Sequence, residues 1–340
     1  MRALIAWEYG PAETLTLGEL PTPAPAAGEV LVKVRAASLN PADLLMTGGA
    51  VRAAFETTFP FVPGTDAAGT VVRIGPGVDT FAEGDEVFAF GAPPSYAAQF
   101  GLPALTSGTI AEYATFRADG PFVVRRPDGL APETAAALPG TGLTAAAAML
   151  DGDFGPGEKV LVIGATGGIG SIVVPMLAKE RKAHVIATTT AADERYVAEL
   201  GAAESIDYLA CDVAAETLRR HPGGVDAIVN TALHGDAVVP AARALRPGGR
   251  LISTTPGTPA SCGRDDVTVT VVNGPPGVTA ETLPALAARA LDGTLPDMIS
   301  RRYAFDQAEQ AFREFAAATH TRGKYVITMS EQRFSGTRLG

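Results

Sequence analysis

Residues 159–170 read KVLVIGATGGIG, an apolar strand that runs into a glycine turn and then into a helix. Val160, Leu161, Val162 and Ile163 form the unbroken apolar run of a parallel strand buried on both faces. Ala165-Thr166-Gly167-Gly168-Ile169-Gly170 follows, a G-x-G-x-x-G pattern with Ala in its first place. Glycines so placed permit a tight turn, close approach of backbone N–H groups to a pyrophosphate, and close packing of helix on strand. The next helix, about Ile169 to Lys182, aims its positive N-terminal end at the same phosphates. A glycine fingerprint alone is a weak signal, but here the strand before it and the helix after it supply the context it requires. The stretch predicts a dinucleotide site; a purely structural glycine turn is the alternative.

Working outward, strand and helix alternate from about residue 125. A helix over 131–150 leads to this strand, and His184–Thr188 is the next one. A helix at about 192–200 ends on Gly201, a C-cap residue. Ile206–Tyr208, a helix near 213–220, strand Ala227–Asn230, a helix near 236–245 and strand Arg250–Thr254 follow, and VTVTVV at 267–272 adds one more strand. Such alternation predicts a doubly wound parallel sheet, an α/β fold. Residues 1–124 read as all-β: VLVKVRA at 30–36 alternates like a half-buried strand, GTVVRI at 69–74 is another, and Gly48-Gly49, Gly75-Pro76-Gly77 and Glu83-Gly84-Asp85 mark turns. Beyond 279 come helices around 281–292 and 306–318 and a closing strand, Tyr325–Met329.

The chain of 340 residues suits about two domains and a sizeable core. Its formal net charge is −10, and no basic patch stands out, which argues against a nucleic-acid partner. Cys211 and Cys262 read as two reduced, mostly buried thiols of a cytosolic protein. The N-terminal MRALIAWEYG has no signal-peptide core, so a cytoplasmic location is expected. The Ala-rich 131–150 is interrupted by Pro132, Glu133, Pro139, Gly140 and Gly142 and is no membrane span.

Asn40-Pro41-Ala42-Asp43, Pro63-Gly64-Thr65-Asp66-Ala67-Ala68-Gly69, Val78 through Gly84-Asp85-Glu86-Val87 and Gly108-Thr109-Ile110-Ala111-Glu112-Tyr113 occur in that order. Gly142-Leu143-Thr144-Ala145, the Gly164–Gly170 turn, Gly201 to Tyr208 and Gly323-Lys324-Tyr325-Val326 complete a set that covers nearly the whole chain. Together they resemble the medium-chain dehydrogenase/reductase superfamily, in its zinc-independent quinone oxidoreductase-like branch. The resemblance implies a GroES-like β domain over 1–124, a Rossmann NADP-binding domain over 125–275, and a return to the first domain over 276–340. Short-chain dehydrogenases, which place the turn near the N-terminus and carry a Tyr-x-x-x-Lys pair, do not fit.

Zinc members of that superfamily hold an open tetrahedral metal with Cys, His and a carboxylate. In this chain Asn40 stands where the first Cys would be, Gly64-Thr65-Asp66 replaces Gly-His-Glu, and no Cys precedes Cys211, so no metal is expected. His184, His221, His234 and His320 show no ligand spacing, and His234 reads as a solvated loop residue. Asp66 reads equally as a functional carboxylate or as part of a strand turn. Without a metal, the acceptor must already be activated for hydride, as a quinone or a C=C bond conjugated to a carbonyl is. Negative charge then builds on oxygen, and an Asn40 side-chain N–H is the candidate donor. Asn40 as a mere cap of the Asn-Pro turn is the alternative. Thr144 joins Asn40 at the nicotinamide end. Many relatives carry Tyr or Lys where this chain has Leu45, which leaves water as the candidate proton donor.

NAD sites usually carry an acid at the end of the second strand. Here that end reads Thr188-Thr189-Thr190, with Arg195 nearby. Hydroxyls and a guanidinium suit a 2′-phosphate, and in relatives the Tyr208 position lies near it, so NADPH is the expected cofactor. Ala165, Thr166, Gly167, Gly168 and Ile169 would hold its pyrophosphate, and Asn230, Ser253, Thr254 and Thr255 would contribute from the strand ends. Residues 91–108 (GAPPSYAAQFGLPALTSG) read either as a substrate-side lid with Tyr96, Phe100 and Leu102 as its apolar contacts, or as a plain loop. The expected activity is an NADPH-dependent reductase of quinones or α,β-unsaturated carbonyls. An enoyl reductase or tailoring enzyme of a biosynthetic pathway, and a dinucleotide-binding protein with little catalysis, are the alternatives. The alternating strand at 267–272 offers a sheet edge, which predicts a homodimer.

Overall fold

The computed structural model describes residues 1–102, 104–105, 107–272 and 279–329. Its Rossmann half is a 6-stranded sheet whose neighbours run, in order, Glu204–Asp207, His184–Thr189, Lys159–Ile163, Val225–Asn230, Leu245–Ser253 and Thr268–Val271. Every pair is parallel. From Lys159–Ile163 the chain builds first to one side and later, from Val225, to the other. Ligands of doubly wound sheets bind at this switch, beyond the carboxyl ends of the strands, and the glycine turn sits there.

The other sheet has 7 strands and is built from both ends of the chain. Its order is Ile299–Ala304, Lys324–Thr328, Glu29–Ser38, Asp66–Ile74, Glu86–Phe90 and Val123–Arg125, with Tyr113–Arg117 also on Glu29–Ser38. Val326 pairs with Ser38 and Thr328 with Ala36, so the last strand lies directly beside Asn40's strand. The chain rejoins this sheet at Ile299, later than the expected 276, because helix Thr282–Leu291 first packs on Pro139–Gly152. The 275/276 boundary itself falls outside the described residues. One apolar core runs from Ala36, Ala68 and Phe88 through Ala135, Ala136, Ala137 and Leu143 to Val160 and Val162, joining the two sheets.

Local chemistry moved several elements from their expected places. Residues 131–150 form two helices, Pro132–Ala137 and Pro139–Gly152, because Pro139 has no N–H to continue the first ladder and instead starts the second. Helix Gly170–Pro175 widens into a π-type turn, Met176–Glu180, where Pro175 interrupts the bonding. The segment Gly235–Ala244, which holds Pro240, winds as a 3₁₀-helix. Residues 1–124 are not all-β: Pro41–Thr47 and Pro94–Phe100 are short helices. The second of these occupies the expected lid, whose ends close through Ala92 and Ala104. Pro103, Thr106 and the side chains of Tyr96 and Phe100 lie outside the described residues. Both cysteines are free, and Cys211 is exposed, not buried as expected. Among the described residues no helix is long and apolar enough to cross a membrane.

Candidate active site

Asn40 lies two residues beyond strand Glu29–Ser38 and caps helix Pro41–Thr47 through its backbone: its N–H donates to Asp43 Oδ2 at 2.7 Å. Its side chain is free of that duty and makes tertiary bonds. Asn40 Nδ2 donates to Thr65 Oγ1 at 3.1 Å and to Asp66 Oδ2 at 2.9 Å. Asn40 Oδ1 accepts from Lys324 Nζ at 2.5 Å, and the same ammonium donates to Leu39 O at 2.9 Å and stands 3.7 Å from Asp66 Oδ2. Asp66 also accepts from Ser38 Oγ at 3.0 Å and, on Oδ1, from the Gly140 N–H at 2.9 Å. All four side chains, Asn40, Asp66, Ser38 and Lys324, are buried. This changes one expectation. Both Asn40 N–H protons are engaged inside the protein, so Asn40 does not itself present a free donor. Thr65 Oγ1 receives one of them and has no acceptor for its own proton among the described residues.

The glycine turn abuts this cluster. Gly164 has φ +81 and its N–H donates to Thr188 Oγ1 at 3.1 Å. A Cβ on Gly170 would lie 2.3 Å from Gly164 O, so only glycine lets the helix seat this closely on the strand. A Cβ on Gly168 would meet Thr141 Cγ2 at 2.9 Å and Lys324 Cδ at 3.0 Å. The stem of Lys324 therefore lies against the turn while its ammonium reaches Asn40. The return segment binds the turn directly: the Gly323 N–H donates to Thr166 O at 2.7 Å, and Thr166 Oγ1 donates to Thr321 O at 3.3 Å. Ala165 is buried, whereas Thr166, Gly167, Gly168 and Ile169 remain partly open. Thr144 lies one turn into the helix after Gly140, with its hydroxyl donating back to Gly140 O at 2.8 Å.

The remaining sequence-predicted residues divide between contact and support. Asn230 is 0% exposed. Its Nδ2 donates to Leu233 O, Ser253 Oγ and Thr255 Oγ1 at 2.8–2.9 Å. With Thr258, these side chains form a buried knot that shapes the loops after two strands. Thr254 alone of the 253–255 group is partly open. Thr188 and Thr189 are buried and Thr190 is half-buried at the strand end. The structure does not bring Arg195 to that end: it projects from helix Glu194–Leu200 and pairs with Glu199 at 2.8 Å, 91% exposed. The groups that do arrive come from the return segment. His320 Nδ1 lies 2.7 Å from Tyr208 Oη, and Arg322 lies over the Tyr196 ring at 4.0 Å and 3.8 Å from Asp193. Sequence spacing could not find them, because 112 residues separate Tyr208 from His320.

With the geometry in hand, the comparisons with known proteins are consistent across the chain. The model for an alcohol dehydrogenase GroES-like domain matches residues 26–128, and that for a zinc-binding dehydrogenase matches 200–327. A chloroplastic quinone oxidoreductase of Triphysaria versicolor is 33% identical over 96% of this chain and 98% of its own. The chain belongs to the medium-chain dehydrogenase/reductase superfamily, in its quinone oxidoreductase-like branch. The quinone oxidoreductase of Coxiella burnetii shares its structure with a TM-score of 0.84 at 26% identity, over 97% of this chain and 99% of that one. A chloroplastic NADPH-dependent alkenal/one oxidoreductase of Arabidopsis thaliana is 29% identical over 75% of this chain and 62% of its own. This chain is thus an oxidoreductase of a superfamily that uses a nicotinamide dinucleotide, and the open glycine turn of the Rossmann sheet fits that cofactor.

The residues of this cluster suit a zinc ion poorly. Among the described residues it offers no Cys or His, and the Asp66 oxygens already accept from Ser38, Asn40 and Gly140, with an ammonium 3.7 Å away. Burial pulls the Lys324 ammonium down from its usual range, opposed by the Asp66 and Asp43 carboxylates. Burial also pushes the Asp43 carboxyl up to about 7, against the N–H groups of Asn40 and Gly64 that favour its charged form. The folded chain thus holds this proton more tightly than the unfolded chain, whose carboxyl titrates near 3.8. Asp43 contributes most to stability below that value, and the contribution is lost as the pH rises to about 7. Asp43→Asn removes the titration. In urea unfolding across pH, wild-type stability relative to the variant should fall through this window and level off above it. A flat difference would show that Asp43 titrates as an exposed carboxyl does.

Proposed function

We propose that the protein is an NADPH-dependent, zinc-independent reductase of quinones or α,β-unsaturated carbonyl compounds. The observation that carries this reading is the contact of the glycine turn with a buried network, Lys324–Asn40–Asp66, in which the Thr65 hydroxyl has no acceptor of its own among the described residues. The glycine turn would hold the pyrophosphate of the dinucleotide, whose reduced nicotinamide would supply a hydride to the β-carbon of a conjugated acceptor, so that charge would gather on the carbonyl oxygen. Thr65 Oγ1–H donates to that oxygen, and Asn40 Nδ2–H, donating into Thr65, strengthens the bond as charge grows. Lys324 and Asp66 hold the Asn40 carboxamide in this orientation. Leu45 provides no acid, so water delivers the proton to the α-carbon.

Donation that matters only in the transition state affects turnover, not cofactor binding. Thr65→Val and Asn40→Ala should each lower enone or quinone turnover by ~10²-fold while NADPH affinity stays near wild type. Full turnover in Thr65→Val would remove this hydroxyl from the chemistry. Simple alkanols should not be oxidised at a comparable rate, and turnover should survive exhaustive chelation. Activity lost on chelation and restored by zinc would overturn the metal-free mechanism.

NADPH preference draws support from Thr190, Tyr208, His320 and Arg322 at the adenosine end, with His320 and Arg322 supplied by the return segment. Losing a charge-assisted contact to a 2′-phosphate costs ~1.5–3 kcal/mol, roughly tenfold to hundredfold in affinity. Arg322→Ala should weaken NADPH by that much and leave NADH nearly unchanged, and Arg195→Ala should affect neither. Equal loss for both cofactors in Arg322→Ala would assign Arg322 to the fold.

The protein is further proposed to be a cytoplasmic homodimer. Among the described residues, strand Thr268–Val271 pairs on one side only, with Leu245–Ser253, and a second copy related by a two-fold axis would extend the sheet. Light scattering should give a dimer mass at micromolar protein; a monomer mass would refute the pairing.

A further inference from the structure

At the opposite end of the Rossmann sheet from the glycine turn, three side chains far apart in sequence converge on one point. His184 opens strand His184–Thr189, Glu204 opens the neighbouring strand Glu204–Asp207, and His221 ends helix Val213–Arg220. His184 Nε2 lies 2.6 Å and His221 Nε2 lies 2.9 Å from the same oxygen, Glu204 Oε1. The three ligand atoms lie within 4.8 Å of one another. The other carboxylate oxygen is held by Arg220 Nη1 at 3.4 Å, so Oε1 is the one left to the two rings. Arg220 is itself bound by Glu216 at 2.7 Å and Ser205 O at 2.8 Å, which ties its charge away from Oε1.

We propose that His184, Glu204 and His221 form a binding site for one divalent transition-metal ion, with zinc as the candidate. Two imidazole nitrogens and one carboxylate oxygen are the donor set that suits this class of ion and suit magnesium or calcium poorly. The two strands fix two of the ligands through the parallel register Glu204–Ile186, and the His221 N–H is held by Thr217 O at 2.8 Å. An ion at this point replaces the two ring-to-carboxylate hydrogen bonds. Each neutral ring moves its single proton from Nε2 to Nδ1 through solvent and presents the Nε2 lone pair, and Glu204 remains ionised. Three protein ligands leave a fourth position for water. The strand His184–Thr189 separates this point from the cofactor end by its own length, about 17 Å at 3.3 Å per residue, so the ion takes no part in hydride transfer.

Cobalt(II) alone is the probe, added to metal-stripped whole protein and followed by its visible ligand-field absorption and by thermal melting. One equivalent should produce the bands of a low-coordinate ion and raise the melting temperature, and zinc should displace it. His184→Gln and His221→Gln keep a hydrogen-bonding group beside Glu204 but ligate poorly. Each should weaken cobalt binding at least ~100-fold, no less than the 10–100-fold that loss of an outer partner costs. Quinone turnover in each variant should stay at the wild-type level, which also reports that it has folded. Absence of bands and of any melting shift overturns the proposal. So does binding that is as tight in both variants as in the wild type, because the ion then sits elsewhere.

Discussion

The structure turns on one buried ammonium. Lys324 is 3% exposed, and a charge so far from water is tolerated only when its protons are all directed to acceptors. Leu39 O and Asn40 Oδ1 accept from it, and the Asp66 carboxylate stands 3.7 Å away as its counter-charge. Because Lys324 opens the last described strand, Asp66 opens another strand of the same 7-stranded sheet, Asn40 follows a third, and the lysine stem lies on Gly168, satisfying one charge fixes these parts of the chain together. The carboxamide orientation, the height of the glycine turn and the end of the return strand are set by the same bonds. Removing the ammonium would leave Asp66 buried without a counter-charge, a change that typically costs about 3–5 kcal/mol.

In the proposed reading, the same network presents donors on a superfamily scaffold without a metal. A zinc ion fixes geometry by coordination, whereas here hydrogen bonds do so. Asp66 orients Asn40, Asn40 polarises Thr65, and Gly140 ties Asp66 to the helix that carries Thr144.

At the strand end that carries Thr190 and at the far end of the Rossmann sheet the decisive neighbours are remote in sequence. Arg195 is near Thr190 in the chain, yet a helical i,i+4 partner, Glu199, draws it outward. His320 and Arg322 reach the Tyr208 and Asp193 region only because the return segment crosses the turn through Gly323–Thr166. His184, Glu204 and His221 likewise meet through adjacent parallel strands and a helix end, which no ligand spacing in the sequence encodes.

The sequence alone determined the doubly wound sheet, because continuous apolar strands, glycine turns and intervening amphipathic helices are local patterns that survive any packing. It also identified the superfamily. Its errors were local chemistry read too smoothly: Pro139 splits a helix, Pro175 widens one, and Pro240 sits in a segment wound as a 3₁₀-helix. What only the tertiary structure decided was the use of polar groups. Asn40, Asn230, Ser253 and Thr255 read as contacts for ligand, but burial obliges each to find partners inside the protein, and those partners lie as far as 284 residues away. A residue type announces which hydrogen bonds it can make, and only the folded chain settles with whom.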